Sequence, residues 1–302
     1  MTRATGHGAA DTPEDRDALL RVADAEGELA AGAAWLRKQL EAAGRRRVVL
    51  GLSGGIDSAV AALWAARALG AENVTAVSMP YGLLHHATFA PSAAASLEDA
   101  RRLATCLPAA DYRELDIAAT VDAEADGTGL TAELGQSPEE PVLRLALANL
   151  KARVRAVRLR YFANCLDALL LGTENKSEHY LGYFTIGGDE ESDLELLSNY
   201  FKAEVIQLAR ALDVPQAIVT KAPSADLWTG QTDETELGFS YRDADHVLHL
   251  TGCSTELTGE AAARCRVLPD VAARVLERVR ATAFKRAPKP VFRRNDFHEA
   301  TR

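Results

Sequence analysis

Five of the six residues from 53 to 58 could do phosphate chemistry: Ser53, Gly54, Gly55, Asp57 and Ser58. Two adjacent glycines let successive backbone N–H groups face one anion, with no Cβ in the way. A helix starting just after them adds the positive end of its dipole, and Ser53 and Ser58 add hydroxyl donors. Asp57 is out of place in such a cup unless a cation arrives with the anion. A phosphate carrying magnesium satisfies both conditions, because hard cations choose carboxylate and phosphate oxygen.

The flanking residues place this turn between a strand and a helix. Val48, Val49, Leu50 and Leu52 read as a buried strand, and residues 56–70 as a helix. Residues 73–80 read as a second buried strand, completing a βαβ unit of the kind that winds right-handed and binds ligands at the carboxyl ends of its strands. Residues 112–117 and 167–172 read as two more strands, and residues 17–44 (interrupted at Gly27), 97–107, 142–166 and 198–212 as helices. The fold class expected is α/β, a doubly wound and mostly parallel sheet with helices on both faces.

Four connecting stretches are expected to be loops. Residues 81–96 follow the second strand, and their adjacent His85 and His86 lack spaced partner ligands, so they read as loop residues. Residues 122–141 are acidic, with Gly127, Gly129, Gly135, Pro138 and Pro141, and read as a long mobile loop of the kind that often forms a lid. Residues 180–192 hold a second glycine-rich turn, and residues 223–234 a polar loop before a helical remainder. Thr173 stands where a helix N-cap belongs. On the helix at 142–166, Leu143, Leu147, Leu150, Val154 and Val157 form an apolar seam, while Lys151, Arg153, Arg155, Arg158 and Arg160 crowd the other faces. Either a core helix with a solvated basic face or a dimer seam fits that pattern.

Composition narrows the class. The 302 residues are 47% hydrophobic and 25% charged, ordinary for a globular protein. No apolar run approaches the ~20 residues that cross a bilayer, and residues 1–17 lack the apolar centre of a signal peptide and read as a disordered tail. The four cysteines, Cys106, Cys165, Cys253 and Cys265, form no Cys-x-x-Cys pair and read as reduced core thiols of a cytoplasmic protein. A net charge of −9 argues against a broad nucleic-acid surface.

The loop at 53–58 lacks the Gly-Lys-Ser/Thr ending of a Walker A loop and resembles the Ser-Gly-Gly-x-Asp-Ser loop of ATP pyrophosphatases, which cleave ATP to AMP and pyrophosphate. Further along, Asn149-Leu-Lys-Ala-Arg153, Gly172-Thr-Glu-Asn-Lys-Ser-Glu178, Gly182-Tyr-Phe-Thr185, Pro223-Ser-Ala-Asp-Leu-Trp228 and Asp233-Glu-Thr-Glu-Leu-Gly238 occur in the order of the NAD synthetase motifs. The resemblance runs from about residue 48 to residue 285, is closest to the ammonia-dependent form, and implies an adenine nucleotide alpha hydrolase-like fold in one domain over 18–285, with a basic tail over 286–302.

That resemblance implies ATP-dependent amide formation. A substrate carboxylate, by default that of deamido-NAD, attacks the α-phosphorus of ATP and releases pyrophosphate, and ammonia then displaces AMP. It places ATP at Gly51, Leu52, Ser53, Gly54, Gly55, Ile56, Asp57, Ser58, Thr173, Lys202 and Ser224, magnesium at Asp57 and Glu178, and the acyl substrate at Arg153, Ile186, Asp193, Phe284 and Lys285, with Asp57 and Lys202 catalytic. It also implies a homodimer, and free ammonia or a separate glutaminase as nitrogen source.

Two positions depart from the pattern. Ile186 replaces a lysine of the family, within Ile186-Gly-Gly-Asp-Glu-Glu-Ser192, and Phe284 replaces the histidine of a His-Lys pair. With Glu190 and Glu191 added, the acyl pocket is expected to be more acidic and more apolar, so the alternative is amidation of a different, less anionic acid. A tRNA-modifying pyrophosphatase would be expected to add a basic domain, and a non-catalytic nucleotide-binding regulator to lose Asp57 or Glu178.

Overall fold

The computed structural model describes residues 18–82, 91–129, 133, 140–224 and 230–292. At its centre is a five-stranded, wholly parallel sheet of β1 (Val48–Gly51), β2 (Val74–Ser78), β3 (Asp111–Glu114), β4 (Leu169–Gly172) and β5 (Leu194–Glu195), in the order β3-β2-β1-β4-β5. Continuous apolar runs suit strands covered on both faces, and Val48, Val49, Leu50, Leu170 and Leu171 are all buried. From β1 the chain steps outward to β3, then returns to the other side of β1 as β4. The carboxyl ends of β1 and β4 therefore flank the topological switch point, where open α/β sheets bind ligands.

On one face, α1 (Ala25–Ala42) and α2 (Ile56–Leu69) pack over the sheet with α7 (Lys202–Ala211). Trp64 on α2 is fully buried, donates to the Leu29 carbonyl at 2.8 Å, and lies where any side chain at Gly32 would stand. On the other face lie α4 (Ala118–Gly127) and the long α5 (Pro141–Cys165), while α3 (Pro91–Thr105), which connects β2 to β3, packs Ala100 and Leu103 into the first cluster. A third apolar cluster gathers α6 (Lys176–Leu181), α10 (Tyr241–Leu250) and α12 (Pro269–Ala281) around Leu181, Tyr241 and Val275. Short helices α8 (Gln216–Val219), α9 (Asp233–Leu237), α11 (Gly259–Arg264) and α13 (Ala283–Arg286) complete the set.

Several sequence expectations change. Helix α1 starts at Ala25, where Asp24 caps it by accepting from Gly27, so Gly27 lies in the first turn and interrupts nothing. The acidic stretch from Asp122 opens as helix α4, because Val121 is buried and the Tyr81 hydroxyl donates to Asp122 at 2.7 Å. Its later part, together with His85, His86, the tail at 1–17 and most of the C-terminal tail, lies largely or wholly outside the described residues. Arg286 is anchored in α13, donating to the carbonyls of Tyr180 and Val279. All four cysteines are free; Cys106 and Cys165 are exposed rather than core thiols, while Cys253 and Cys265 are half-buried against the third apolar cluster.

The seam on α5 divides. Val154 is buried and Leu147 and Leu150 pack beside it, but Val157 is 69% exposed. Most of the basic face is not solvated either, although Arg153 stays exposed. Lys151 is buried, Arg155 donates to the Met79 carbonyl, Arg158 to the Asp116 carbonyl, and Arg160 pairs with Asp193 and Glu191.

Candidate active site

The turn after β1 gathers the hydroxyls and glycines expected to hold phosphate. Ser53 and Ser58 hydroxyls lie 3.1 Å apart, Ser58 donates to the Gly55 carbonyl at 3.0 Å, and Gly55 N–H donates to Ser53 Oγ at 3.2 Å. Gly54 has φ +81°, and a Cβ there would lie 2.0 Å from the Ser96 carbonyl oxygen. Both facts demand glycine: the left-handed conformation costs an L-residue about 1–2 kcal/mol, before any clash. Gly54→Ala should leave the circular dichroism spectrum native while raising the KM for ATP about tenfold or more, since a shift of about an ångström in a positioning group costs that much or more. An unchanged KM would show that the turn does not hold the nucleotide.

The turn after β4 supplies the other half. Asn175 is the N-cap of α6, accepting from Glu178 N–H at 3.0 Å while its own N–H donates to Glu178 Oε2. This reciprocal capping box displaces Thr173, the N-cap expected from sequence, to the cavity wall. Asn175 also donates from Nδ2 to Asp57 Oδ1 at 2.8 Å, which ties the two turns together across the switch point.

Lys202, the first residue of α7, closes the arrangement. Its ammonium meets Asp57 Oδ2 at 2.6 Å and Glu178 Oε1 at 3.1 Å, with its side chain only 5% exposed. Burial disfavours a charged lysine, but the two carboxylates outweigh it and hold its pKa above the ordinary value. Burial raises the Glu178 carboxyl above the usual carboxylate range, and Lys202 opposes that rise. Behind them, fully buried Asp245 fixes the geometry: it accepts from Ser177 on α6 and from Ala203 N–H on α7, while Ser177 Oγ accepts from Lys202 N–H at 2.9 Å.

These groups face a cavity of about 1040 Å³. Among the described residues it is lined by seven cationic and seven carboxylate side chains. Within a chain of net charge −9, the described lining of the cavity is formally charge-balanced. Glu191 is neutralised by Arg160 at 2.7 Å, and Glu190 accepts from Gly187 N–H.

A family model described as NAD synthase matches residues 28–289. The chain belongs to the NAD synthase family. It is 42% identical over 216 residues to the NH(3)-dependent NAD(+) synthetase of Methanosarcina acetivorans, covering 72% of this chain and 78% of that one. It is 38% identical over 273 residues to the enzyme of the same name from Methanopyrus kandleri, covering 88% and 90%. Among solved structures, NMN synthetase from Francisella tularensis superimposes with a TM-score of 0.71 at 30% identity, over 89% of this chain and 99% of that one. The NH3-dependent NAD synthetase of Campylobacter jejuni does so with a TM-score of 0.67 at 27% identity, over 89% and 100%.

Within this NAD synthase chain, the expected ATP and metal residues converge. Gly51, Leu52, Ser53, Gly55, Ile56, Asp57, Ser58, Thr173, Glu178, Lys202 and Ser224 all line the cavity, while Gly54 backs it against Ser96. The expected acyl-substrate residues do not converge. Lys285 lines the cavity, donating to the carbonyls of Gly182 and Phe184, but the other four lie outside it. Asp193 is clasped by Arg160 and accepts from Leu170 N–H, Arg153 donates to the Ile186 carbonyl, Ile186 is 39% exposed and Phe284 67%. Sequence reasoning missed Asn175, although it lies inside a quoted motif with capping-box spacing. It also missed Asp233, which is buried, accepts from the Tyr241 hydroxyl at 3.2 Å, and feels the charge of Lys202. Lys221 was missed too; it enters the cavity wall and bonds Ser96 and Asp99 on α3.

Proposed function

We propose that this chain is an ammonia-dependent NAD synthetase, an AMP-forming carbon–nitrogen ligase. The observation that carries the reading is the convergence of the Ser53–Ser58 turn, Glu178 and Lys202 at the switch point. ATP sits with its β- and γ-phosphates on the Ser53, Gly55 and Ser58 donors, and the deamido-NAD carboxylate oxygen attacks the α-phosphorus, breaking its bond to the pyrophosphate that leaves. Ammonia then adds to the acyl carbon of the adenylate, the acyl–oxygen bond breaks to release AMP, and the nitrogen gives up one proton, leaving the amide. Lys202 offsets negative charge as two anions meet.

Asp57 and Glu178 fit a divalent cation: two hard carboxylates already bracket one positive charge, that of Lys202. Among the described residues no cluster of three or more His, Cys, Asp or Glu is arranged to hold a metal, so phosphate oxygens and water would complete the shell. Bound there, magnesium would neutralise the leaving pyrophosphate.

The test is direct. ATP, magnesium, ammonium and deamido-NAD should give AMP, pyrophosphate and NAD in equal amounts. A second acid enters the same assay, because the Francisella tularensis neighbour is an NMN synthetase and because Ile186 and Phe284 lie outside the cavity. With nicotinic acid mononucleotide the kcat/KM should be the lower of the two; the reverse order would replace deamido-NAD as substrate.

A homodimer is supported by the outward apolar face of α5, where Val142, Leu145, Val157 and Tyr161 are exposed. Sedimentation should report twice the chain mass, and a monomer would leave that face unexplained. Among the described residues no helix is long and apolar enough to cross a membrane, which is compatible with the cytoplasmic location we propose. Nitrogen would come from free ammonia or from a separate glutaminase.

A further inference from the structure

The helix that carries Lys202 does not cap itself. Phe201 stands at the N-cap position of α7, where the preferred residues bring a side-chain oxygen, and its ring is instead buried in the third apolar cluster. Glu204 and Val205 N–H both reach the Phe201 carbonyl, at 2.8 and 2.9 Å, which leaves the N–H groups of Lys202 and Ala203 in need of acceptors. Two other helices supply them. Ser177 Oγ, on α6, accepts from Lys202 N–H at 2.9 Å, and Asp245 Oδ2, on α10, accepts from Ala203 N–H at 3.0 Å. The Ser177 hydroxyl in turn donates to Asp245 Oδ1. Both side chains are wholly buried, so solvent does not compete for these donors.

A second contact comes from the same helix. Tyr241 lies four residues before Asp245 on α10, hence on the same face, and its ring is 5.1 Å from the Lys202 ammonium. Helix α10 therefore holds Lys202 at both ends, the backbone through Asp245 and the ammonium through Tyr241, although no residue of α10 lines the reaction cavity. Ser177 brings Glu178, its neighbour in the first turn of α6, into the same fixture. We propose that Asp245 is a positioning residue for the reaction. As a cap lent to α7 by α10, it sets the direction in which Lys202 leaves its helix, and so the place of the ammonium between Asp57 at 2.6 Å and Glu178 at 3.1 Å.

This rests on Lys202 serving amide formation. Asp245→Asn keeps the shape of the side chain but has one acceptor oxygen where aspartate has two, so either Ser177 or Ala203 loses its acceptor. Referred to the folded fraction measured by denaturant unfolding, kcat for AMP release should fall about 10- to 100-fold, the cost of shifting a reacting group by about an ångström. The KM for deamido-NAD should stay within about twofold, because α10 contributes nothing to the cavity wall. Ser177→Ala should show the same split and carries the test where Asp245→Asn does not fold. In a Lys202→Met background, Asp245→Asn should lower kcat by less than about threefold further, since no ammonium is left to aim; a carboxylate that only supports the fold would exact its full loss again. An unchanged kcat, a rise in KM in its place, or a full further loss without Lys202 overturns the positioning role. AMP release by the unaltered chain keeps the two readings apart. Release there with an unchanged kcat in the variants discards only the role of Asp245; no release discards the amide-forming reading and that role with it.

Discussion

Asp57→Asn should fold and yet form AMP at least about 10³-fold more slowly, the scale on which preorganised charge and metal ligation accelerate such steps. The side chain keeps its shape, but both of its partners are donors: Asn175 Nδ2 to Oδ1 at 2.8 Å and Lys202 Nζ to Oδ2 at 2.6 Å. An amide presents one oxygen and one NH₂, so one of the two contacts becomes donor against donor. That costs about 1–3 kcal/mol of stability, the penalty of an unmade buried hydrogen bond. The loss of activity has a separate cause, the loss of the anionic ligand for the cation that accompanies the triphosphate. Denaturant unfolding measures the first effect and AMP release at saturating ATP and magnesium the second. Turnover equal to that of the unaltered chain would remove Asp57 from the site.

Lys202→Met is expected to damage both stability and catalysis, for one reason. The methionine matches the lysine stem but leaves Asp57 and Glu178 facing each other without the charge between them. Breaking a buried pair by removing one partner costs about 3–5 kcal/mol, because the remaining charge stays buried. The pH dependence follows from the sign. Burial already holds the Glu178 pKa above its unfolded value, so with Lys202 gone the folded chain binds a proton more readily than the unfolded one. Stability is then lost as pH rises through that raised value and recovered as pH falls below it. Magnesium should stabilise this variant more than the unaltered chain, since it supplies the missing charge to the same two carboxylates. Turnover should fall about 10²–10³-fold, the usual cost of one transition-state donor. Stability indifferent to pH and magnesium would show that Asp57 and Glu178 do not act as a pair.

The asymmetry between the two halves of the site has a physical cause. The half proposed to hold the nucleotide is made by two turns at the ends of adjacent strands, β1 and β4, and each turn is a contiguous run of residues. Glycines, serines and a carboxylate in one short stretch can be read directly, because backbone geometry alone brings them to one point. Glu178 and Lys202 arrive from different helices, yet both sit in the first turn of a helix that begins at the site, so motif order still located them. The acyl half depends on side-chain direction at the rim. Ile186 and Phe284 look like pocket residues by position in the chain, but they point outward, and Asp193 spends its carboxylate on Arg160 and the β4 backbone.

The basic residues of α5 teach the same lesson. Periodicity separated an apolar seam from a charged face, and a charged face on a helix is usually wet. Here the sheet edge and the α4 region offer carbonyls within reach of Arg155 and Arg158, and Lys151 folds beneath the Tyr81 ring at 4.0 Å. Long side chains bury their stems and find acceptors that no one-dimensional pattern can specify.

By itself, then, the order of residues determined the parallel α/β class and the place of the glycine- and serine-rich turn at the end of β1, because each follows from local backbone geometry. Tertiary structure alone decided that Asn175 bridges the two turns, that Lys202 holds Asp57 and Glu178 together, and that the cavity is charge-balanced within an acidic chain. Those outcomes depend on distances between residues as much as 145 positions apart, which only the packing of α6 and α7 against the strand ends brings within hydrogen-bond reach.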